Sequence, residues 1–122
     1  MSQSSAQYHA FIREVLDYRK VWTIKDEQGF PSFTNYNGET VMPFWSLKTR
    51  AEKILRNVPE YRNFQGHEIT LNDFLNKWLI GLEADRLYAG VNWSGKTATG
   101  YDITPKDLRK RIISEGEKDA TY

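Results

Sequence analysis

The run GVNWSGKT at positions 90–97 has the spacing of a phosphate-binding loop, in which a glycine and four further residues precede Gly-Lys and Ser or Thr. That chemistry requires the chain to enter a helix directly after the lysine, because the N–H groups of the helix N-terminus hold the phosphates. Here Lys96 is followed by TATGYDITP, whose glycine, β-branched residues and proline disfavour a helix. We therefore predict a strand end and a hairpin turn, and we do not expect a nucleotide-hydrolysing site.

The turn offers a second chemistry that does not need a helix. Backbone N–H groups on the concave side of a turn can bind an anion. One alternative hypothesis is therefore a small-ligand, nucleotide or phosphate site formed by Ser94, Gly95, Lys96 and Thr97.

Residue types that usually perform catalysis are scarce. The chain has no cysteine, which excludes thiol nucleophiles, thiolate metal sites and disulfides. The two histidines, His9 and His67, lie far apart without metal-ligand spacing, and no serine stands in a nucleophile-elbow sequence. The sequence predicts no catalytic residue, no metal and no cofactor, and it favours a protein that is not an enzyme.

Aromatic side chains near predicted loops are the leading candidates for binding. Large amphipathic rings at a surface often form interface hot spots. Trp45 precedes a predicted helix and Trp93 lies at a predicted turn, with the cations Arg50 and Lys96 and the ring of Tyr101 nearby in sequence. These five residues are predicted to bind an unidentified protein partner or a second copy of the chain, which makes a non-enzymatic interaction module the leading hypothesis.

A basic helix face provides another alternative, weak binding of nucleic acid. Lys48, Arg50, Lys53 and Arg56 share one predicted helix, and such a ridge can contact phosphates. Glu52 lies four residues before Arg56 and reduces the effective charge. The formal net charge of +1 supplies no general attraction for a polyanion, so neither nucleic acid nor a membrane surface is an expected partner.

The first half of the chain predicts a helix followed by three antiparallel strands. Apolar residues recur at helical spacing over residues 8–16. Strands are predicted at 21–25, 30–36 and 39–44, the first two forming one hairpin and Asn37-Gly38 the two-residue turn of the next. Ser46 is predicted to cap a helix that ends at Pro59.

The second half predicts two more helices and a hairpin. Residues 61–69 form a loop or an edge strand, Thr70 caps a helix over 71–82, strands at 86–93 and 97–103 pair, and Pro105 opens a short last helix. We predict an α+β fold, an antiparallel sheet of about five strands with three to four helices packed mainly on one face.

Length and composition favour one domain over residues 1–122, with disordered ends near 1–5 and 116–122. Apolar residues make up 39% and charged residues 27% of the chain, as in globular proteins. The sequence shows no export signal and no apolar stretch long enough to cross a bilayer. A cytoplasmic location is expected.

Three segments resemble the small bacterial proteins of the domain of unknown function 2750 family: VWTIKDEQGFPSF, VMPFWSLKTRAEKI and ITLNDFLNKWLIGLEADRLYAGVNWSG. The resemblance covers roughly residues 8–112, and PFWS, FLNKWLIGLEAD and GVNWSG are its most specific parts. It implies a small α+β domain and implies no catalytic residue, since the family is uncharacterised. It also places GVNWSG in a family pattern outside any nucleotide hydrolase.

Overall fold

The computed structural model describes residues 3–120. The first half of the chain forms α1 (Gln3–Tyr18), β1 (Lys20–Lys25), β2 (Phe33–Thr34), β3 (Thr40–Phe44), α2 (Lys48–Asn57) and a 3-10 turn (Pro59–Tyr61). The second half forms β4 (Gln65–Thr70), α3 (Leu71–Asp73), a π-helical turn (Phe74–Trp78), α4 (Leu79–Ala84), β5 (Tyr88–Ser94), β6 (Thr99–Ile103) and α5 (Pro105–Ala120). The three helical segments from Leu71 to Ala84 follow one another without a break.

The strands form two sheets joined by a pair of tryptophans. β1 pairs antiparallel with β4, and a second sheet has the order β2-β3-β5-β6. In that sheet β3 and β5 are parallel, whereas the other two pairs are antiparallel. Trp22 of β1 and Trp45 exchange two backbone hydrogen bonds of 2.7 Å, which link the sheets. The structure confirms the α+β class and the approximate number of strands, and the parallel pair is a departure from the predicted antiparallel sheet.

The first predicted hairpin is wrong in its pairing. β1 does not pair with residues 30–36 but with β4, in a register that places Val21 opposite Ile69. Only one bridge, between Asp26 and Gly29, closes the turn after β1. Pro31 has no N–H to donate, whereas Gln65–Thr70 supplies a partner strand of the same length as β1.

The predicted turn at Asn37-Gly38 is present, but it is not a two-residue turn. The N–H of Gly38 donates to the carbonyl of Asn35, and Gly38 alone of the central residues has a positive φ, +78°. A type I turn followed by a left-handed glycine is the common three-residue hairpin connection. The side chain of Asn35 adds hydrogen bonds to the N–H groups of Asn37 and Glu39.

Helix boundaries follow local signals at three of the four residues named for them, and one of these is Pro105, where α5 begins as predicted. The hydroxyl of Thr70 accepts from the N–H of Asp73, as predicted for a cap, and α2 ends before Pro59. Ser46 is not a cap, because Leu47 occupies that position and the hydroxyl of Ser46 bonds elsewhere. α5 is longer than predicted and continues past Gly116 to Ala120, and α1 begins at Gln3. The remaining terminal residues, for which disorder is predicted, lie outside the described range.

Both faces of the four-stranded sheet are covered. One hydrophobic cluster joins α1, the helical run and α5 to the sheet and includes Phe11, Phe44, Phe74, Val91 and Leu108. A second cluster lies under α2 and includes Ile24, Val41, Trp45, Ile54 and Tyr61. Most helices therefore pack on one face, as predicted, and α2 packs on the other. Within residues 3–120, no helix combines the length and the apolar character needed to span a lipid bilayer.

Candidate functional site

A cleft of about 1000 Å³ opens at the carboxyl ends of β3 and β5, between α2 and the turn that joins β5 to β6. Parallel neighbours bring their carboxyl ends to the same edge of a sheet, where ligands of α/β proteins commonly bind. Its walls are formed by Gln7 of α1, by Arg50, Lys53, Ile54 and Asn57 of α2, and by residues 92–97, 99 and 100. We call it the α2–turn cleft.

A bulge in β5 shapes the inner wall of this cleft. The pairing of β5 with β6 shifts register between Val91 and Ser94, and Asn92 takes a left-handed φ of +52°. Asparagine tolerates this conformation better than most residues. The bulge turns the amide of Asn92 inward, where the side chain is 2% exposed, and brings the Trp93 ring against the strand backbone.

The inward amide of Asn92 is the centre of a buried polar network. Its Oδ1 accepts from the N–H of Ser46 at 3.0 Å, and its Nδ2 donates to the hydroxyl of Ser46 at 2.9 Å and to the carbonyl of Gln7 at 3.3 Å. Gln7 Nε2 donates in turn to the carbonyl of Asn92 and to the hydroxyl of Ser94. The network ties α1 to the ends of β3 and β5.

Glu14 extends the network to the cationic side of the cleft. Its carboxylate accepts from the hydroxyl of Ser46 at 2.6 Å, and from Nε and Nη2 of Arg50 at 2.8 Å each. Burial raises the pKa of Glu14, but the hydrogen bonds from Arg50 and Ser46 and the charge of Arg50 lower it more, so the pKa lies below its ordinary value. The carboxylate is therefore ionised at neutral pH and fixes the Arg50 guanidinium.

The cleft lining carries positive charge only. Arg50, Lys53 and Lys96 line it, and none of its described lining residues is acidic. Glu14 balances one of these charges from behind Arg50. The remaining lining consists of amides, hydroxyls and glycine backbone with Ile54 and Trp93 as the apolar part, so the cleft suits an anionic, hydrogen-bonding ligand.

The two candidate tryptophans do not lie on exposed loops, so this part of the binding prediction is wrong. Trp45 is 0% exposed and donates its indole N–H to the carbonyl of Trp93 at 2.8 Å. Trp93 belongs to β5, is 7% exposed and donates its own indole N–H to Asp102. Both rings are packed in the cluster under α2, and neither presents the open aromatic face that a hot spot requires.

The other three candidates are divided between two places. Arg50 and Lys96 line the α2–turn cleft together with Trp93. Tyr101 lies with the first hydrophobic cluster, where its ring stacks on Tyr8 at 4.6 Å. Three of the five predicted residues are thus brought together, while Tyr101 and the buried Trp45 are apart from the cleft.

The basic face of α2 is smaller than its sequence suggests. Arg50 is paired with Glu14, and the ammonium of Lys48 lies 5.8 Å from the centre of the Trp22 ring. Lys48, Lys53 and Arg56 are exposed.

The residues that match a phosphate loop have the geometry of a hairpin. The segment leaves β5 at Ser94, turns at Gly95 (φ +80°) and enters β6 at Thr99, so that the turn containing Lys96 is followed by a strand and not by a helix. The predicted strand end and turn are confirmed. This turn forms one wall of the cleft.

Neither histidine belongs to the cleft lining, and His67 packs against the rings of Phe30 and Trp78. Among residues 3–120, no group of three or more His, Cys, Asp and Glu side chains could hold a metal ion.

Sequence reasoning missed Gln7, Glu14 and Asn92, whereas Lys53 and Ser94 stood in the predicted basic helix face and the predicted anion-binding turn. One local signal existed for α1, because Gln7 and Glu14 are spaced by seven residues and so share a helix face beside its apolar stripe. Asn92 and Ser94 stand inside GVNWSG, the motif at the end of β5. Their roles depend on contacts with residues 46 and 7, which no local pattern reveals.

Residues 8–112 match the family model described as protein of unknown function, DUF2750. The chain belongs to the DUF2750 family. Two of the three most specific motifs of this DUF2750 chain, PFWS and GVNWSG, lie at the carboxyl ends of β3 and β5, and residues 92–95 of GVNWSG line the α2–turn cleft. No curated protein matches the chain.

Among solved structures, Anabaena Tic22, described as protein transport, is similar with a TM-score of 0.42 and 18% sequence identity. The similarity covers 66% of this DUF2750 chain and 43% of the Tic22 chain. This chain therefore spans less than half the length of that structure.

The wall beneath Trp93 has no space for an additional methyl group. A Cβ on Gly90 would lie 2.5 Å from the ring of Trp93. We expect Gly90→Ala to lower the free energy of unfolding by about 2 kcal/mol through overpacking, measured by denaturant unfolding. Gly81→Ala is the matched control, because nothing lies within 4 Å of its added Cβ and alanine favours a helix. Equal stability of Gly90→Ala and the parent would contradict this packing.

Glu14 makes stability dependent on pH. Because the folded state lowers its pKa from 4.5, its contribution is fully present above about pH 4.5 and is lost as the pH falls through the folded pKa. We expect Glu14→Gln to lower the free energy of unfolding by about 2 kcal/mol at neutral pH, and this difference should shrink below pH 4.5. Denaturant unfolding across the pH range tests this, with Glu83→Gln as an exposed control. A difference that is independent of pH would contradict it.

Proposed function

We propose that this DUF2750 protein is a non-catalytic binding protein that holds an anionic ligand in the α2–turn cleft. The observation that carries the proposal is the lining, with three cations, many hydrogen-bonding groups and no acid among the described residues. A negatively charged group is the ligand that such a lining favours. This requirement applies to a small molecule and to an acidic segment of a partner protein alike.

Binding is favoured over catalysis by the position of Ser46, a serine that is bonded to a carboxylate. Ser46 donates to Glu14, but Ser46 is 1% exposed and the lowered pKa makes Glu14 a weak base. A nucleophile must reach its substrate and needs a base matched to the working pH. Ser46 and Glu14 instead position Arg50.

We also propose that the chain acts as one domain. β1, β3 and β5 each place at least one residue in each of the two hydrophobic clusters, for example Val91 in the first and Trp93 in the second. Separate domains would each have their own core.

The test compares two double variants that remove equal charge. The double variant Lys53→Ala, Lys96→Ala removes the two exposed cations of the cleft. The double variant Lys106→Ala, Lys110→Ala removes two exposed cations of α5, outside the cleft. Calorimetric titration with matched anionic and neutral compounds should show anion binding by the parent and the α5 variant. Loss of two cations should weaken binding by about tenfold or more in the cleft variant. Equal anion affinity in all three proteins would refute the site, and binding of neutral compounds alone would refute the ligand class.

A further inference from the structure

The guanidinium of Arg50 is held in place and has N–H groups free to donate hydrogen bonds into the cleft. Glu14 accepts from Nε and Nη2, which uses one edge of the planar guanidinium. Within the described residues Nη1 makes no hydrogen bond, although Arg50 lines the cleft and its side chain is 37% exposed. An arginine whose orientation is fixed from behind binds an oxyanion with little loss of conformational entropy.

The charge of the site indicates how much negative charge the ligand carries. Arg50, Lys53 and Lys96 contribute three positive charges, of which Glu14 balances one. A phosphomonoester carries about −1.5 to −2 at neutral pH and offers three terminal oxygens. A single carboxylate balances only half of the excess and accepts fewer hydrogen bonds.

Hydroxyl donors supplement the cations. The oxygen of Ser94 accepts from Gln7, which leaves its proton available to the cleft, and Thr97 and Thr99 line the same side. Among the described residues that line the cleft, the single aromatic one is Trp93, which is 7% exposed and whose ring lies close to Gly90 and Gly100. The cleft therefore has donors for a phosphate and a polar body but no open ring on which a nucleobase could stack.

Building on the proposed function, we propose that the α2–turn cleft binds the phosphate group of a small phosphorylated molecule. The free guanidinium edge of Arg50 donates hydrogen bonds to the phosphate oxygens, and Lys53 and Lys96 neutralise the phosphate charge. The hydroxyls of Ser94, Thr97 and Thr99 contact the phosphate oxygens or the rest of the ligand.

The experiment titrates the full chain with glycerol phosphate, succinate, glycerol and a phosphoserine peptide at constant ionic strength, using calorimetry and the NMR shifts of backbone amides. Glycerol phosphate should bind more tightly than succinate, glycerol should not bind, and the shifts should map to residues 94–100. Arg50→Lys retains the charge but loses the planar fork, so the affinity for glycerol phosphate should fall at least about tenfold. Lys96 is exposed, so Lys96→Ala should weaken the binding of glycerol phosphate without unfolding the chain. Lys106→Ala, at an exposed lysine outside the cleft, is its control.

The outcomes separate this inference from the proposed function. Tighter binding of succinate would overturn the phosphate assignment and leave the anion site standing. Binding of the phosphoserine peptide alone would overturn the small-molecule assignment. No binding of any anion, or equal affinity in Lys96→Ala and the parent, would overturn both.

Discussion

Replacing Trp45 by alanine is expected to lower the free energy of unfolding by about 4 kcal/mol, a large share of the 5–15 kcal/mol that is typical of a domain. The side chain is 0% exposed and packs between β1, β3 and α2. Its loss opens a cavity and leaves the carbonyl of Trp93 without the indole donor at 2.8 Å. Denaturant unfolding followed by circular dichroism measures the loss.

Trp45→Phe is the matched variant for this prediction. It retains most of the ring volume and removes the donor, so its effect should be about half that of alanine. Because Trp45 is absent from the cleft lining, Trp45→Phe should bind anions as the parent does. Unchanged stability of Trp45→Ala together with lost binding would support the surface hot spot that the sequence suggested.

Local chemistry predicted most of the individual elements. The Thr70 cap, the end of α2 before Pro59 and the turn at Gly38 depend on residues within a few positions of one another, and each is present. Strand partners are set by contacts far apart in sequence, such as the register of β1 against β4. Periodicity identifies a strand but not its neighbour, which explains the wrong first hairpin and the unexpected parallel pair.

The candidate site was predictable only in part for the same reason. Arg50 and Lys53 were found because cations on a polar helix face can be recognised locally, and Ser94 and Lys96 were found because they belong to a predicted turn. Ser46 has the residue type of a helix cap, but its hydroxyl bonds to Glu14, 32 positions away. Trp45 and Trp93 follow or end strands, and their burial depends on α2 packing over them.

The same packing connects the stability of the fold to the cleft. α2 covers the tryptophans with Ile54, while Arg50 and Lys53 of that helix reach the cleft. Glu14 holds Arg50 from α1, and Asn92 holds α1 through Gln7. A substitution at the centre of this network should therefore change both stability and binding.

Asn92→Ala is expected to lower the free energy of unfolding by about 3 kcal/mol. The substitution leaves the buried N–H of Ser46 without an acceptor and the carbonyl of Gln7 without its side-chain donor, at about 1–3 kcal/mol for an unsatisfied buried group. It also places alanine at a φ of +52°, a conformation that asparagine tolerates better. Denaturant unfolding measures the combined loss from the unsatisfied polar groups and the strained backbone.

Two further variants separate the cost of the lost hydrogen bonds from the cost of the strained backbone conformation. Asn92→Gly removes the strain and keeps the polar loss, so it should be more stable than Asn92→Ala by about 1 kcal/mol. Asn92→Asp restores an acceptor for Ser46 but offers no donor, and its charge lies close to Glu14 across the Ser46 hydroxyl. The loss of stability of Asn92→Asp relative to the parent should therefore diminish at acidic pH, where the carboxylates become protonated. Equal stability of the alanine and glycine variants would show that the bulge carries no strain. If Asn92→Ala were as stable as the parent, the hydrogen-bond network of Asn92 would not stabilise the fold around the cleft.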